Sequence, residues 1–412
     1  MNFEQATAYL TSLKPAGIQM GLERMHTACE ALSHPERAYP AVHIAGTNGK
    51  GSTARMIAAM LTANGYRTGL YTSPMITDIT DMILIDGVPV TPKEFAACVT
   101  AVRHAVPEGL SEYECLTSAV FVCFQRQKVD IAVIECCMGG ETDATNIIPP
   151  PLCAVFTPIA KDHTAFLGDT VEEIASCKGG IIKDGCDVIC AASMDEDALG
   201  VLFEKAAQHG ATVHIPVAGE TAEIGINGTR FHHNNREVRL RLAGHHQHEN
   251  ALTALQTMTC LQRRGFRFDE ERALAALSAV TMPCRQEIVC ESPFVMLDGA
   301  HNPHGIEAFC RTLEEMPLDT LVIGMLADKD CDSCLKRLAP YFRRIICCTP
   351  PDTPRALPAR ELAATALQYH ANVSVISDPV KAFTDAKKTS ASIVVGGSFY
   401  TSSVVRKAII SE

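Results

Sequence analysis

Short apolar runs alternate with longer segments of helical period along most of this chain. Residues 41–44, 68–71, 130–134 and 152–156 are short runs of mainly apolar residues, which predicts strands buried on both faces. Residues 52–63, 92–105 and 112–127 repeat apolar side chains at helical spacing, the first closed by Gly65. Residues 82–85 and 88–90 flank Asp86-Gly87 and predict a hairpin. Helical period returns over 171–178, 195–209 and 249–263, and residues 223–242 alternate around an Asn-Gly pair, as a small β element would. A second alternating set follows Met282-Pro283-Cys284-Arg285, with strands expected at 294–297, 320–323, 344–347, 373–376 and 393–395. This alternation predicts mostly parallel sheets with helices on both faces. A domain boundary is expected near residue 285, dividing the chain into 1–284 and 285–412.

Candidate chemistry gathers where these strands end, which is where open α/β sheets bind ligands. The first strand runs into Gly46-Thr47-Asn48-Gly49-Lys50-Gly51-Ser52-Thr53, and a helix follows. This is the layout of a phosphate-binding loop. Glycines let backbone N–H groups close on phosphate oxygens, Lys50 brings charge to the outer phosphates, and Ser52 or Thr53 faces a magnesium ion. Gly51, between the lysine and the hydroxyl, departs from the general G-x-x-x-x-G-K-[ST] pattern and narrows the family. Tyr71-Thr72-Ser73-Pro74 offers hydroxyls to a hard cation, although an ordinary turn is the plainer reading of that segment alone. Glu135 directly follows an apolar strand, the usual place for a magnesium-binding acid. His163 in Lys161-Asp162-His163-Thr164 reads equally as a general base or a satisfied polar residue. Lys178, at a helix end before two glycines, reads as an exposed lysine. His245-His246-Gln247-His248-Glu249-Asn250 opens a helix with a histidine spacing that matches no recognised ligand set, so contact of its amides with a base or sugar is preferred. Val295–Gly305 is another strand end carrying acid, histidine and amide groups, and Arg285 in the linker is placed to reach phosphates.

Composition narrows the class. The 412 residues are 47% hydrophobic, enough for two cores. A net charge of −11 gives no cationic footprint for nucleic acid or an anionic membrane. No signal peptide or membrane-spanning run is visible. The 18 cysteines lie inside apolar stretches, as in a reduced cytoplasmic protein with buried thiols. Cys331 and Cys334 form a lone C-x-x-C near Cys347-Cys348, weak evidence for zinc.

Taken together, these segments identify a resemblance to folylpolyglutamate synthase and its bacterial bifunctional form, also dihydrofolate synthase, in the Mur ligase superfamily. It covers nearly the whole chain. It is carried by Gly21-Leu22-Glu23-Arg24-Met25, Gly46–Ser52, Thr72-Ser73-Pro74, Gly139-Gly140, Asp143-Ala144-Thr145-Asn146, Asp162-His163-Thr164, Phe166–Thr170 and Gly180–Lys183. Later come Gln247, Glu249-Asn250, Asp298-Gly299-Ala300-His301-Asn302-Pro303 and Gly324–Asp330. The resemblance implies an α/β fold, with a P-loop Mur-ligase-like central domain on a mostly parallel sheet and a smaller Rossmann-like α/β C-terminal domain.

It also implies roles. Asn48, Gly49, Lys50, Gly51 and Ser52 would hold ATP phosphates, and Asn250, Arg285 and Asp298 would contact ATP, with His301 beside them. Ser73, Glu135 and His163 would bind Mg²⁺. Lys178 would be carbamylated, a lysine turned into a carboxylate-like group. The pterin would lie near Gly21, Leu22, Glu23 and Arg24, near Ser111, Glu112, Tyr113 and Glu114, and near Thr142, Asp143 and Ala144. The implied reaction joins L-glutamate to dihydropteroate or to a folate tail through an acyl phosphate, in a cytoplasmic monomer. Departures cluster by the substrate site. Met75-Ile76 and Asp81-Met82 stand where the family has His-Leu and an acid–arginine pair, Cys136-Cys137-Met138 replaces Val-Gly-Leu, and Met282-Pro283-Cys284-Arg285 replaces Trp-Pro-Gly-Arg. A Mur-type ligase for another carboxylate, or a silent nucleotide-binding relative, are the competing readings.

Overall fold

The computed structural model describes residues 1–14, 21–75, 78–162, 164–217, 222–225, 228–314 and 318–410. The chain divides into two compact units, one of residues 1–218 with 249–278, the other of residues 219–248 with 279–412.

The first unit is built on a sheet of β1 (Ala41–Ala45), β2 (Thr68–Tyr71), β3 (Ile83–Ile85), β4 (Val88–Pro89), β5 (Ile131–Glu135), β6 (Cys153–Phe156), β7 (Asp187–Cys190) and β8 (Thr212–His214). Its spatial order is β4-β3-β2-β5-β1-β6-β7-β8, parallel from β2 through β8 and antiparallel only in the β2-β3-β4 edge. Every position of β1 and β5 is buried, as their mainly apolar character predicts for central parallel strands. Asp86 (φ 52°) and Gly87 (φ 79°) turn the hairpin as their positive dihedrals require. The chain leaves β1 toward β2 on one side, while β6 lies on the other. The carboxyl end of β1 is therefore a topological switch point, where a crevice opens.

The helix after β1 spans Lys50–Ala63, two residues earlier than its apolar period suggests, because Lys50 and Gly51 already form its first turn. β7 and β8, and the helices Phe3–Ser12 and Glu23–Ala31, have no clear signal in the sequence.

In the second unit, β9 (Glu223–Gly225), β10 (Gly228–His233) and β11 (Arg236–Leu240) form an antiparallel sheet. Asn234 and Asn235, both at positive φ, make the β10–β11 turn. β12 (Glu287–Glu291), β13 (Phe294–Leu297), β14 (Leu318–Ile323), β15 (Phe342–Cys347), β16 (Val373–Val375) and β17 (Ser392–Gly396) form a sheet of order β12-β13-β17-β14-β15-β16. It is parallel except for the edge strand β12. β12 escaped the sequence reading because it is half-exposed and bounded by glutamates. No helix of the described residues is long and apolar enough to cross a membrane.

Candidate active site

The glycine-rich segment lies at the switch point of the first unit. Gly49 has φ +88°, a conformation glycine adopts without strain, and a Cβ there would collide with Asn250 Oδ1. Asn250, from the helix His245–Arg263, thus packs against the loop that the sequence analysis paired it with. Gly51 explains its own place in the motif. A Cβ on it would stand 3.3 Å from Glu135 Oε2, so the extra glycine lets the buried acid at the end of β5 approach the first helical turn. Ser73 N–H donates to the same oxygen at 3.0 Å. The loop, Ser73, Glu135 and Asn250 therefore meet at one place.

Two lysines converge there. Lys50 Nζ donates to the carbonyls of Gly46 (3.1 Å) and Thr47 (3.3 Å). Lys178 Nζ donates to the Gly46 carbonyl at 2.8 Å. Lys178 is only 5% exposed, which overturns its reading as a surface lysine. Its helix, Val171–Gly179, docks its C-terminal end on the segment after β5, where Glu141 N–H donates to the Cys177 carbonyl at 2.8 Å. Burial, reinforced by the charge of Lys50, pushes the Lys178 ammonium down to about 7. A substantial fraction is then neutral amine at physiological pH.

Asp143 braces the same segment. Its Oδ2 accepts from the Cys137 and Met138 N–H groups, both at 2.9 Å, fixing the two-residue path just beyond Glu135. Its Oδ1 accepts from Tyr113 Oη (3.1 Å), Thr145 N–H (2.9 Å) and Thr145 Oγ1 (2.6 Å). Since the Thr145 hydroxyl gives its proton to Asp143, buried His43 donates to that hydroxyl through Nε2 at 2.8 Å. Burial, with the nearby Lys183 charge, pushes His43 down to about 3. The sequence reading did not single out His43, because a histidine inside an apolar strand carries no local signal of a polar partner brought from another segment.

The expected pterin residues are also assembled. Arg24 Nε donates to Glu114 at 2.9 and 3.2 Å, Glu114 accepts from Ser111 N–H at 2.8 Å, and Tyr113 reaches Asp143. Gly21 and Leu22 directly precede the Arg24 helix, and Thr142 and Ala144 flank Asp143. Glu23 is exposed, and Glu112 turns aside, to Lys14 at 3.8 Å. Met75, two residues beyond Ser73, is half-exposed. His163 lies outside the described residues, as does Ile76.

In the second unit, Arg285 and His301 gather around Phe399. The Arg285 guanidinium stacks 4.4 Å from the centre of that ring, and His301 meets it edge-on at 6.3 Å. Buried Asp298 accepts from Gln286 N–H (3.0 Å) and Ala300 N–H (2.7 Å). Burial raises its carboxyl, and Arg285 and these two bonds oppose the rise. Phe399, more than a hundred residues from Arg285, was not legible as a member of this group.

The Mur ligase middle domain family matches residues 44–258, and the Mur ligase glutamate ligase domain family matches residues 284–399. The chain is similar to dihydrofolate synthase/folylpolyglutamate synthase of Bacillus subtilis, 33% identical over 429 residues and covering 99% of each chain. The structure is similar to Mycobacterium tuberculosis folylpolyglutamate synthase complexed with ADP and AMPPCP (TM-score 0.89, 30% identity, 98% of this chain and 99% of that one). It is also similar to the bifunctional Yersinia pestis enzyme complexed with AMPPNP and a manganese ion (TM-score 0.85, 27% identity, 100% and 98% covered).

Proposed function

The chain belongs to the folylpolyglutamate synthase/dihydrofolate synthase family of Mur ligases, and from that premise we propose how its residues serve the reaction. It is an ATP-dependent ligase that adds L-glutamate to a folate carboxylate. The observation that carries the residue assignment is the convergence of Lys50, Lys178, Glu135 and Ser73 on a glycine-rich loop at a helix N-terminus.

A carboxylate is a poor electrophile, and ATP is a second anion, so the site must first neutralise charge. Lys50 and the N–H groups of Asn48–Ser52 hold the β- and γ-phosphates. Buried Glu135 and half-buried Ser73 present oxygen donors, which suits a hard divalent cation, and His163 completes the proposed magnesium set. When bound, the ion offsets the charge of the phosphate oxygens. The acceptor carboxylate attacks the γ-phosphorus, the bond to ADP breaks, and an acyl phosphate forms. The glutamate amine then attacks the acyl carbon, and phosphate leaves through a tetrahedral intermediate. Asn250, Arg285, Asp298 and His301 are proposed to contact ATP.

Lys178 in its neutral form can take up CO₂, giving a carbamate and releasing a proton. The anion would sit beside the glycine loop, where it would offer a carboxylate to a bound metal and no longer a second ammonium beside Lys50. Gly21–Arg24, Tyr113, Glu114 and Thr142–Ala144 form the proposed pterin site. Residues 1–284 and 285–412 are the proposed catalytic domains of a monomeric, cytoplasmic enzyme, in keeping with 18 cysteines that are all unpaired.

An acceptor panel tests the reading. Purified protein with ATP, Mg²⁺ and L-glutamate should release phosphate with dihydropteroate, with tetrahydrofolate or with both, and Lys50→Ala should abolish that release. Turnover with neither, but with another carboxylic acid, would sink the folate assignment and point to the altered residues around Met75.

A further inference from the structure

Strand register builds a second cluster of ligand-type side chains in the first unit. Cys153, Asp187 and Thr212 open β6, β7 and β8 and stand opposite one another, and His214 stands opposite Ile189. Side chains alternate along strands, so Cys153, Asp187 and His214 share one face of the sheet. The last turns of the helix His245–Arg263 bring Cys260 to that face. The ligand atoms of Asp187, His214 and Cys260 all lie within 4.8 Å of one another. His214 Nε2 is 2.9 Å from Asp187 Oδ1, and Arg264 Nε donates to Asp187 Oδ2 at 2.6 Å. Cys260 is fully buried, and His214 and Asp187 are partly exposed.

We propose that Asp187, His214 and Cys260 form a structural site for a divalent transition metal of zinc type. The donor set decides the class. A thiolate, an imidazole and one carboxylate favour zinc or a neighbouring transition ion over magnesium or calcium, which take oxygen ligands. Size agrees as well. A tetrahedral ion with bonds of about 2.0–2.3 Å separates its ligand atoms by roughly 3.3–3.8 Å, so the three groups need to shift by about 1 Å or less.

Loading exchanges the Cys260 thiol proton for the metal and leaves that proton to solvent. In the unloaded site His214 donates its Nε2 proton to Asp187; loading breaks that bond and moves the proton to Nδ1, which leaves Nε2 to the ion. Arg264 keeps its bond to Asp187 Oδ2 and orients the carboxylate from outside the ligand set. The fourth position is left for water. Cys153 and Asp187 are the first residues of parallel strands whose carboxyl ends run toward the glycine loop, so this site lies at the opposite end of the sheet. Its place explains its use: β8 is the outermost strand and has only three residues, and the ion would clasp it to β7 and to the covering helix.

Cobalt(II) is the direct probe. Added to chelator-stripped protein, one equivalent should give a thiolate-to-cobalt charge-transfer band that zinc bleaches, and zinc should raise the melting temperature. Cys260→Ser should abolish the band and the zinc-dependent stabilisation. His214→Gln removes a ligand outright, so it should weaken zinc binding by more than the roughly 10–100-fold that loss of an outer-shell partner costs, and it carries the same comparison if Cys260→Ser does not fold. Cys137→Ser, a change close to Ser73, should keep the band, and Lys50→Ala should keep both signals. A missing band, a band that survives Cys260→Ser, or equal zinc stabilisation of wild type and variants would overturn the proposal.

Discussion

Replacing Lys178 with methionine should stabilise the protein while abolishing ligation. Burial holds the folded ammonium down to about 7, against about 10.4 in an unfolded chain. Each unit is worth about 1.4 kcal/mol, so below pH 7 the buried charge costs roughly 5 kcal/mol, and at pH 7 about 4 kcal/mol. Methionine removes that cost in nearly the same volume and forfeits the bond to the Gly46 carbonyl, worth roughly 1.5–3 kcal/mol as a charged hydrogen bond. The net gain at pH 7 is about 2 kcal/mol. The sign across pH follows from proton counting. Between about pH 7 and 10.4 the folded wild type binds fewer protons than the unfolded chain, so its stability rises with pH through that window. The advantage of Lys178→Met is therefore full below pH 7 and fades toward pH 10. The assay is urea unfolding of both proteins in CO₂-free buffers at pH 6, 8 and 10, with ligase turnover alongside. A methionine variant less stable than wild type at pH 6, or a gap that does not change with pH, would refute the reasoning. Labelled bicarbonate should give a carbamate resonance in the wild type and none in Lys178→Met.

Asp143→Asn should destabilise by about 3 kcal/mol, because one amide cannot accept all five hydrogen bonds now reaching the carboxylate and buried donors are left over; an unchanged urea midpoint would contradict the bracing role. Gly51→Ala gains up to about 1 kcal/mol of helix propensity but places a methyl 3.3 Å from Glu135 Oε2. Turnover should fall about tenfold while stability changes by less than about 1 kcal/mol, and full activity would show that the acid can retreat freely. His43 has a folded pKa of about 3 below an unfolded value of about 6.5, so it contributes stability above pH 6.5 that is lost as pH falls toward 3. His43→Asn should flatten acid unfolding over that window, and an unchanged acid limb would contradict the buried neutral imidazole.

What the sequence made legible was local and contiguous. A buried strand, a glycine turn, a lysine and a helix follow one another between Ala41 and Ala63, so the phosphate loop could be read as a unit, and the extra glycine at 51 marked the family before its neighbour Glu135 was placed. Lys178 shows where that reading stops. A lysine before two glycines looks like an exposed helix end, and its burial depends on docking against the segment after β5, a contact between residues far apart in the chain. The same holds for His43, whose partner Thr145, itself held by Asp143, arrives from another loop, and for Phe399 beneath Arg285. The cluster at Asp187, His214 and Cys260 is the extreme case. β7 and β8 have four and three residues, too few for a period to declare itself, yet their register sets Asp187 and His214 on one face, and a helix from later in the chain brings Cys260 to them. The sequence showed only the weak C-x-x-C of Cys331 and Cys334, because those two thiols are close in the chain. In the fold Cys334 is core, and Cys331 gives its thiol proton to the Leu326 carbonyl at 3.5 Å. Adjacency in sequence finds sites built on one turn, whereas sites built across strands depend on pairing register, which no single segment encodes.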